Sequence, residues 1–265
     1  MNKSQLITVI LAVAVFFFLF NLPRTVVENE IEADTDSQHG LVISNEDAEA
    51  IGMLHRKIQG IDNQKNVTFA DSLSKLYLKY GMLDSAKLLV YRQLKTNNSV
   101  EWKKKASFIL YSIFERTPKT DDISELSIQL KSLLESVLNN DNDPSLRNKL
   151  AMLIVLTEQP MKGVMMLREV LGEFPNNREA ILNLGLLALK SGQNKKSLER
   201  FQKMLELDSA DFEAQLYKAL AYQELGNDTL SDSIYQQLIE NEKVDPSIKQ
   251  AAKDYKNKNY RKRNI

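Results

Sequence analysis

Few side chains in this sequence are suited to catalysis or to holding a metal ion. The chain has 265 residues, no cysteine and only two histidines, His39 and His55. The absence of cysteine excludes disulfides, thiolate nucleophiles and cysteine-ligated metals. His55 has no matching metal ligand four residues away along its predicted helix, so we interpret it as a surface or helix-end residue. These observations predict that the protein holds no metal and no cofactor.

Two polar clusters could be taken for functional sites but have simpler structural interpretations. Asp141-Asn142-Asp143 lacks the ligand spacing and the later glutamate of an EF-hand calcium loop, so it predicts a turn and a helix N-cap. Trp102–Lys105 predicts the solvated start of a helix. The chain has no P-loop, no nucleophile–base pairing and no phosphate-cradling glycine run. We therefore expect a non-enzyme; an enzymatic or regulatory site would need a cluster of polar residues that the sequence does not show.

The overall charge gives no case for nucleic acid as a partner. The chain has 35 basic and 35 acidic residues, so its net charge is zero. The basic tail from Lys256 to Arg263 leaves two interpretations open. It is either the solvated end of a capping helix or a contact for anionic lipid, RNA or an acidic partner. We expect nucleic acid as a partner only if this tail lies in the cytoplasm.

The N-terminal segment is apolar enough to enter a membrane. Leu6–Leu22 has no charged residue and would span about 25 Å as a helix, slightly less than a hydrocarbon core of about 30 Å. A cleaved signal peptide is the alternative, but the segment ends without an A-x-A-like cleavage site. We therefore predict an uncleaved, single-pass anchor in contact with the lipid bilayer. Lys and Arg beside a span favour the cytoplasmic side, so the short, slightly basic N-terminus with Lys3 is expected to stay inside. In a bacterial cell this predicts an inner-membrane protein whose body is periplasmic.

The C-terminal half repeats itself at a fixed step of 34 residues. Small residues recur at this step, and so do a second set of small residues and a set of large ones: Ala151, Gly185 and Ala219; Gly163, Ser197 and Ser231; Leu167, Phe201 and Tyr235. A fixed period of this length is typical of a helical repeat array rather than one globular core. Stacked repeats usually bind other proteins and rarely perform catalysis.

These repeated residues resemble the tetratricopeptide (TPR) family of helix–turn–helix repeats. The resemblance is carried by Leu184-Gly185, Ala188, Gly192, Ser197, Phe201 and Met204, and again by Ala219, Tyr222, Gly226, Ser231, Tyr235 and Leu238. It implies an all-α fold, a TPR solenoid of paired antiparallel helices. With the anchor predicted from Leu6–Leu22, we expect this solenoid to be preceded by one transmembrane helix. An earlier repeat around Leu73-Ser74 is similar, with a helix C-cap at Gly81. The pair at 101–143 departs from the pattern, with Phe108 where a small residue is expected.

The sequence thus divides into five parts. They are an anchor (1–24), an acidic linker (25–44), a helical region with one fair and one degenerate TPR-like repeat (45–143), three TPR repeats (144–245), and a capping helix with a basic tail (246–265).

The TPR resemblance implies that the first helix of each repeat lines a concave groove. The positions carried over for partner binding are Met152, Val155, Leu182, Asn183, Leu186, Leu189, Leu216, Tyr217 and Leu220. Some TPR proteins hold a C-terminal carboxylate with basic residues here, but Met152, Glu213 and Tyr217 stand at places where such a clamp needs polar or basic side chains. The groove is therefore expected to be apolar and to suit a helix or an extended hydrophobic segment. Alternatively, tight curvature buries these leucines against neighbouring repeats.

Together these features predict a membrane-anchored adaptor for an envelope protein complex. An anchor followed by periplasmic TPRs is architecturally similar to accessory subunits of the secretory translocon, which implies a role in protein export or secretion. The expected partners are subunits of a membrane complex or exported chains. Two alternatives remain: a permanent structural subunit of a larger membrane assembly, and a chaperone-like holder of exported chains.

Overall fold

The computed structural model describes residues 43–58, 63–118 and 122–263, which form twelve α-helices and no strand. In chain order they are α1 (Asn45–Ile58), α2 (Asn63–Lys79), α3 (Leu83–Thr96), α4 (Val100–Arg116), α5 (Asp122–Leu138), α6 (Pro144–Thr157), α7 (Pro160–Glu173), α8 (Arg178–Lys190), α9 (Asn194–Leu207), α10 (Phe212–Glu224), α11 (Asp228–Glu240) and α12 (Pro246–Arg263). The predicted anchor, Leu6–Leu22, lies outside the described residues. In the described part of the chain, no helix combines the length and the apolar character needed to cross a bilayer.

The helices stack into an inner and an outer layer. Consecutive helices are joined by short loops and pack on each other as antiparallel pairs do. The even-numbered helices α2 to α12 also contact one another in chain order, whereas each odd-numbered helix contacts only its neighbours in the chain among the described residues. The even-numbered helices therefore form a continuous inner layer, and the outer helices are spread apart. This is the geometry of a solenoid whose inner layer is concave.

The inner helices begin at N-caps that recur every 34 residues. The side chains of Asp143, Asn177 and Asp211 accept hydrogen bonds from free backbone amides at the starts of α6, α8 and α10. Asp245 does the same at the start of α12. Such caps satisfy amides that lack a partner in the first turn. The cap series therefore continues into α12, which occupies the place of a further inner helix.

Each of three N-caps is also held by the preceding inner helix. The pairs are Lys104 Nζ with Asp143 at 2.5 Å, Asn148 Nδ2 with Asn177 at 2.9 Å, and Arg178 with both oxygens of Asp211 at 2.7 and 2.9 Å. The Arg178 pair is bidentate, the strongest geometry for an ion pair. These contacts join successive repeats through polar side chains at one edge of the inner layer.

Asp211→Asn is expected to lower the free energy of unfolding by about 1.5 kcal/mol at neutral pH. The variant keeps a capping side chain, as Asn177 does naturally, but loses the charge that pairs with Arg178. Burial opposes the ionised form of Asp211, but Arg178 and the Ala214 amide outweigh it, so the pKa of this carboxyl is lowered.

Because the pKa of Asp211 is lower in the folded protein, its ionised form stabilises the fold at pH values above the unfolded-state pKa of about 3.9. This stabilisation is lost as the pH falls through the folded-state pKa. The difference between wild type and Asp211→Asn in guanidinium denaturation should therefore shrink between pH 7 and about pH 2. An equal difference at both ends of this range would contradict the pairing.

The small residues of the repeat lie at one fixed position of the inner helices. The eighth residue of α6, α8 and α10 is small and buried: Ala151, Gly185 and Ala219. In α4 the eighth residue is Ser107, which is fully buried, so the expectation that Phe108 takes the small position is wrong by one residue. Phe108 is half-buried and faces the concave side, with Lys149 Nζ 5.1 Å from its ring centroid.

The outer helices carry the matching small and large residues. Gly163, Ser197 and Ser231 are buried, and Leu167, Phe201 and Tyr235 are fully buried four residues later. The fit is tight, since a Cβ on Gly185 would stand 2.7 Å from Cε1 of Phe201. Gly81 has a φ of 69°, which confirms the predicted glycine C-cap between α2 and α3.

Two local predictions on the polar clusters have different outcomes. Asp143 is the N-cap of α6, which confirms the predicted turn and cap. The helix predicted to start near Trp102 also exists, because α4 begins at Val100. The prediction that this helix start is solvated is wrong, however. Trp102 is fully buried, and Lys104 is half-buried and paired with Asp141 and Asp143.

Candidate protein-binding groove

The concave face carries an apolar groove near its C-terminal end, where α8, α10 and α12 lie side by side. Its volume is about 330 Å³. We call it the C-terminal groove, and it is lined by Leu186, Leu189, Lys190, Tyr217, Leu220, Gln223, Glu224, Tyr255 and Lys258. Its lining is mainly aliphatic and aromatic. Of its charged residues, Lys190 and Glu224 end α8 and α10, and Lys258 lies within α12. A concave site of this composition suits an apolar ligand oriented by a few polar contacts.

The aromatic walls of the C-terminal groove are fixed from behind. Tyr217 stacks on the buried ring of Phe201, with ring centroids 5.5 Å apart and an interplanar angle of 27°. Tyr255 packs against Tyr235 with ring centroids 6.3 Å apart. Tyr235 in turn donates a hydrogen bond to Gln223 over 3.0 Å. The groove is therefore largely preformed, which lowers the entropic cost of binding.

Four of the nine residues predicted to bind a partner line this groove: Leu186, Leu189, Tyr217 and Leu220. Burial raises the pKa of the Tyr217 hydroxyl, and the nearby Glu213 and Tyr255 raise it further, so this ring stays neutral. The structure brings side chains from three helices together here, but their role in binding stays a prediction.

The other five predicted residues lie elsewhere. Leu216 is only 5% exposed and belongs to the core beside Tyr235. Leu182 is half-buried and packs against the cluster around Phe201, and Met152 packs partly against the cluster around Leu167. Val155 and Asn183 are half-buried. The curvature alternative thus describes Leu216, and Leu186 and Leu189 also pack partly against the cluster around Phe201. Leu220, in contrast, lies outside the hydrophobic clusters of the described residues.

Sequence reasoning missed the third wall of the groove. Tyr255 and Lys258 belong to α12, which the sequence indicated only as a capping helix. A usable signal was present: Asp245 stands 34 residues after Asp211 and caps α12 as the earlier residues cap the inner helices. Extending the cap series by one step places α12 in the inner layer, and therefore places its side chains on the concave face.

A second groove of about 320 Å³ lies near the N-terminal end of the inner layer, between α2 and α4. We call it the N-terminal groove, and it is lined by Asp71, Lys75, Leu78, Lys105, Phe108, Ile109 and Ser112. Its lysines have carboxylate partners within the chain: Lys75 pairs with Asp71 at 2.8 Å, and Lys105 pairs with Glu101 at 3.2 Å. Its charges are therefore balanced internally.

A polar cluster around Lys149 lies between the two grooves. Lys149 Nζ pairs with Glu179 at 3.0 Å and stands 4.9 Å from the ring centroid of Tyr111. Burial raises the pKa of Glu115, an effect that Lys149 opposes. Among the described residues, no three histidine, aspartate or glutamate side chains are placed to hold a metal ion.

His55 also has a structural role. It lies in the last turn of α1, is exposed, and makes a short hydrogen bond to the hydroxyl of Tyr77 in α2. This placement agrees with the predicted helix-end residue.

Comparison with known families identifies one repeat directly. The family model for the tetratricopeptide repeat matches residues 213–242, a segment that covers most of α10 and all of α11. A comparison with curated protein sequences gives no match. The matched segment contains Tyr217, Leu220, Gln223 and Glu224, so the middle wall of the C-terminal groove lies in the part of the chain that matches the tetratricopeptide-repeat model.

Several solved structures are similar to this chain in fold. BtubC (BKLC) from P. vanneervenii has a TM-score of 0.55 and 13% identity, over 72% of this chain and 86% of that one. PilW, a widely conserved type IV pilus biogenesis factor, has a TM-score of 0.53 and 12% identity, over 78% and 98%. Pseudomonas aeruginosa PilF has a TM-score of 0.51 and 14% identity, over 74% and 88%.

At identities this low the likeness shows the fold alone. It confirms the predicted all-helical, TPR-type solenoid for the described residues. The predicted similarity to translocon accessory subunits stays a prediction.

Proposed function

We propose that this chain is a non-enzymatic adaptor that binds an apolar segment of another protein in the C-terminal groove. The observation that carries the proposal is the groove itself, an apolar concavity of about 330 Å³ formed by three inner helices. Concave apolar surfaces of repeat solenoids are suited to helices or extended segments, whose side chains enter pockets between the inner helices.

Exposure at the groove supports a ligand more than internal packing. Leu186, Leu189 and Leu220 are half-buried, in contrast to Leu216 on the same face, which is core. Leu220 lies outside the hydrophobic clusters formed by the described residues. A leucine kept on a concave face without a packing role in the fold is what a binding surface requires.

The proposed setting is the periplasmic side of a bacterial inner membrane. The apolar stretch Leu6–Leu22 supports an anchor. Confinement by an anchor raises the effective concentration of the groove near membrane-bound partners, so weak contacts suffice. One similar structure, PilW, is a type IV pilus biogenesis factor, which favours an envelope assembly as the place of action. A subunit of such an assembly is the partner we propose.

Leu220→Asp is expected to abolish recovery of the partner. The substitution puts a charge among the apolar side chains of the groove, and it leaves the core unchanged because Leu220 lies outside the hydrophobic clusters of the described residues. The measurement is purification in mild detergent from the native membrane, with bound proteins quantified by mass spectrometry. Leu230→Asp is the matched control, because Leu230 is 51% exposed on the outer helix α11.

A partner retained by both variants would contradict binding in this groove. A partner lost only on Leu220→Asp supports the adaptor over a permanent subunit if free chain is also recovered from the wild type. Cleavage of the domain by protease in spheroplasts with intact inner membranes is expected, and protection would place the domain in the cytoplasm.

A further inference from the structure

The rim of the C-terminal groove carries two lysines that no carboxylate of the described residues pairs with. Lys190 on α8 and Lys258 on α12 line the groove and are exposed. Neither lysine has an ion-pair partner among the described residues. The groove has one carboxylate, Glu224, on the helix between them. Two cations therefore stand on the outer walls, and one anion stands on the middle wall.

The N-terminal groove shows that this imbalance is not a general property of the concave face. The two grooves have nearly the same volume and similar apolar floors. At the N-terminal groove both lysines are neutralised within the chain, by Asp71 and Glu101. Only in the C-terminal groove do lysines of the lining lack such partners among the described residues. Unpaired rim charges steer and select a charged partner.

The position of Lys258 is fixed by the packing of α12. Ala252 is fully buried, and Tyr255 packs on Tyr235. Lys256 Nζ donates a hydrogen bond to Gln236 of α11 over 2.6 Å. These contacts seat α12 against α10 and α11, so Lys258 and Lys190 are held on opposite sides of α10. A segment lying across α10 would meet one lysine at each side.

We propose that the C-terminal groove selects an apolar segment of a partner protein flanked by acidic residues on both sides. The apolar centre would contact Leu186, Tyr217 and Leu220, and the flanking carboxylates would pair with Lys190 and Lys258. α12 then determines specificity as well as covering the end of the array. This inference rests on the proposed function, because it names the chemistry of the segment that the groove binds.

The test compares two synthetic peptides with the same leucine- and phenylalanine-rich core and the same fluorescent label. One peptide is flanked by aspartates and the other by lysines. Binding to the full-length chain in nonionic detergent is followed by fluorescence anisotropy at low and high salt. We expect the aspartate-flanked peptide to bind about fivefold more tightly at low salt, with a smaller preference at high salt.

Charge reversal separates the contribution of the rim from that of the floor. The double variant Lys190→Glu with Lys258→Glu is expected to reverse the preference, with a loss of about tenfold for the aspartate-flanked peptide. The matched control is Lys162→Glu with Lys195→Glu. It makes the same change in net charge at two exposed lysines of the outer helices α7 and α9. The control should keep the preference of the wild type.

The outcomes distinguish this inference from the proposed function. If both peptides bind equally, or if the control shifts the preference as much as the rim variant, selection by the rim is overturned. In that case, if the Leu220→Asp variant no longer binds the peptides, the groove is still supported as the binding site. If neither peptide binds at any concentration, both the selection and the groove as a segment-binding site are overturned.

Discussion

Gly163→Ala is expected to lower the free energy of unfolding by about 2–3 kcal/mol, a large effect for the addition of one methyl group. A Cβ at Gly163 would stand 2.4 Å from the carbonyl oxygen of Ala151 and 2.9 Å from the backbone nitrogen of Val155. Backbone atoms of a helix cannot move aside as a flexible side chain can. Relief therefore requires α6 and α7 to separate, although alanine by itself favours a helix by about 1 kcal/mol.

The matched control for Gly163→Ala is Ser197→Ala in the next repeat. Ser197 holds the equivalent position, already carries a Cβ, and is fully buried with no hydrogen-bond partner for its hydroxyl. Removing an unsatisfied buried hydroxyl should leave stability unchanged or raise it slightly. Guanidinium denaturation followed by far-UV circular dichroism measures both variants. Equal midpoints for Gly163→Ala and wild type would show that the two helices do not approach closely at Gly163.

Trp102→Ala is expected to lower the free energy of unfolding by about 4 kcal/mol, because it empties the largest fully buried side-chain site among the described residues. Trp102 is 0% exposed and packs in the cluster that also contains Leu73, Leu130 and Leu146. These residues come from four different helices of three successive helix pairs. Its loss should therefore loosen the N-terminal half of the array rather than one repeat.

Trp102→Phe separates packing from polarity at the same site. The indole Nε1–H is buried without a hydrogen-bond partner, so phenylalanine removes an unsatisfied donor while it keeps most of the ring contacts. We expect Trp102→Phe to lower the free energy of unfolding several-fold less than Trp102→Ala does. Thermal unfolding followed by circular dichroism is the suitable measurement, since Trp102 is the only tryptophan and its fluorescence is lost in both variants. Equal losses for the two variants would contradict a packing role.

Much of the fold could be predicted from local and periodic features of the sequence. The 34-residue step of Ala151, Gly185 and Ala219 predicted paired helices, because close helix packing needs small residues at one fixed position. Gly81 marked a helix end, because glycine readily adopts a positive φ. Such features depend on residue type and spacing, and both are visible without knowing which helices touch.

The degenerate repeat shows where spacing alone fails. The longer step before Asp143 hid the register of α4, and Phe108 was placed where Ser107 lies. Register is fixed by how α4 packs on its neighbours, and a single inserted stretch shifts it. The burial of Trp102 was missed for the same reason. The lysines that follow Trp102 led to the prediction that this stretch is exposed to solvent. Packing between helix pairs, however, decides which side of the helix is covered.

The sequence by itself determined the helical repeat, its small and large positions, and the apolar character of the leucines carried over to a groove. Only the tertiary structure decided which of these leucines are available. Leu216 is core and Leu220 lines a groove, although both belong to α10 and lie four residues apart. The reason is that availability depends on what the neighbouring helices cover. The place of α12 beside α10, which adds Tyr255 and Lys258, is a long-range contact that no local pattern of Leu220 encodes.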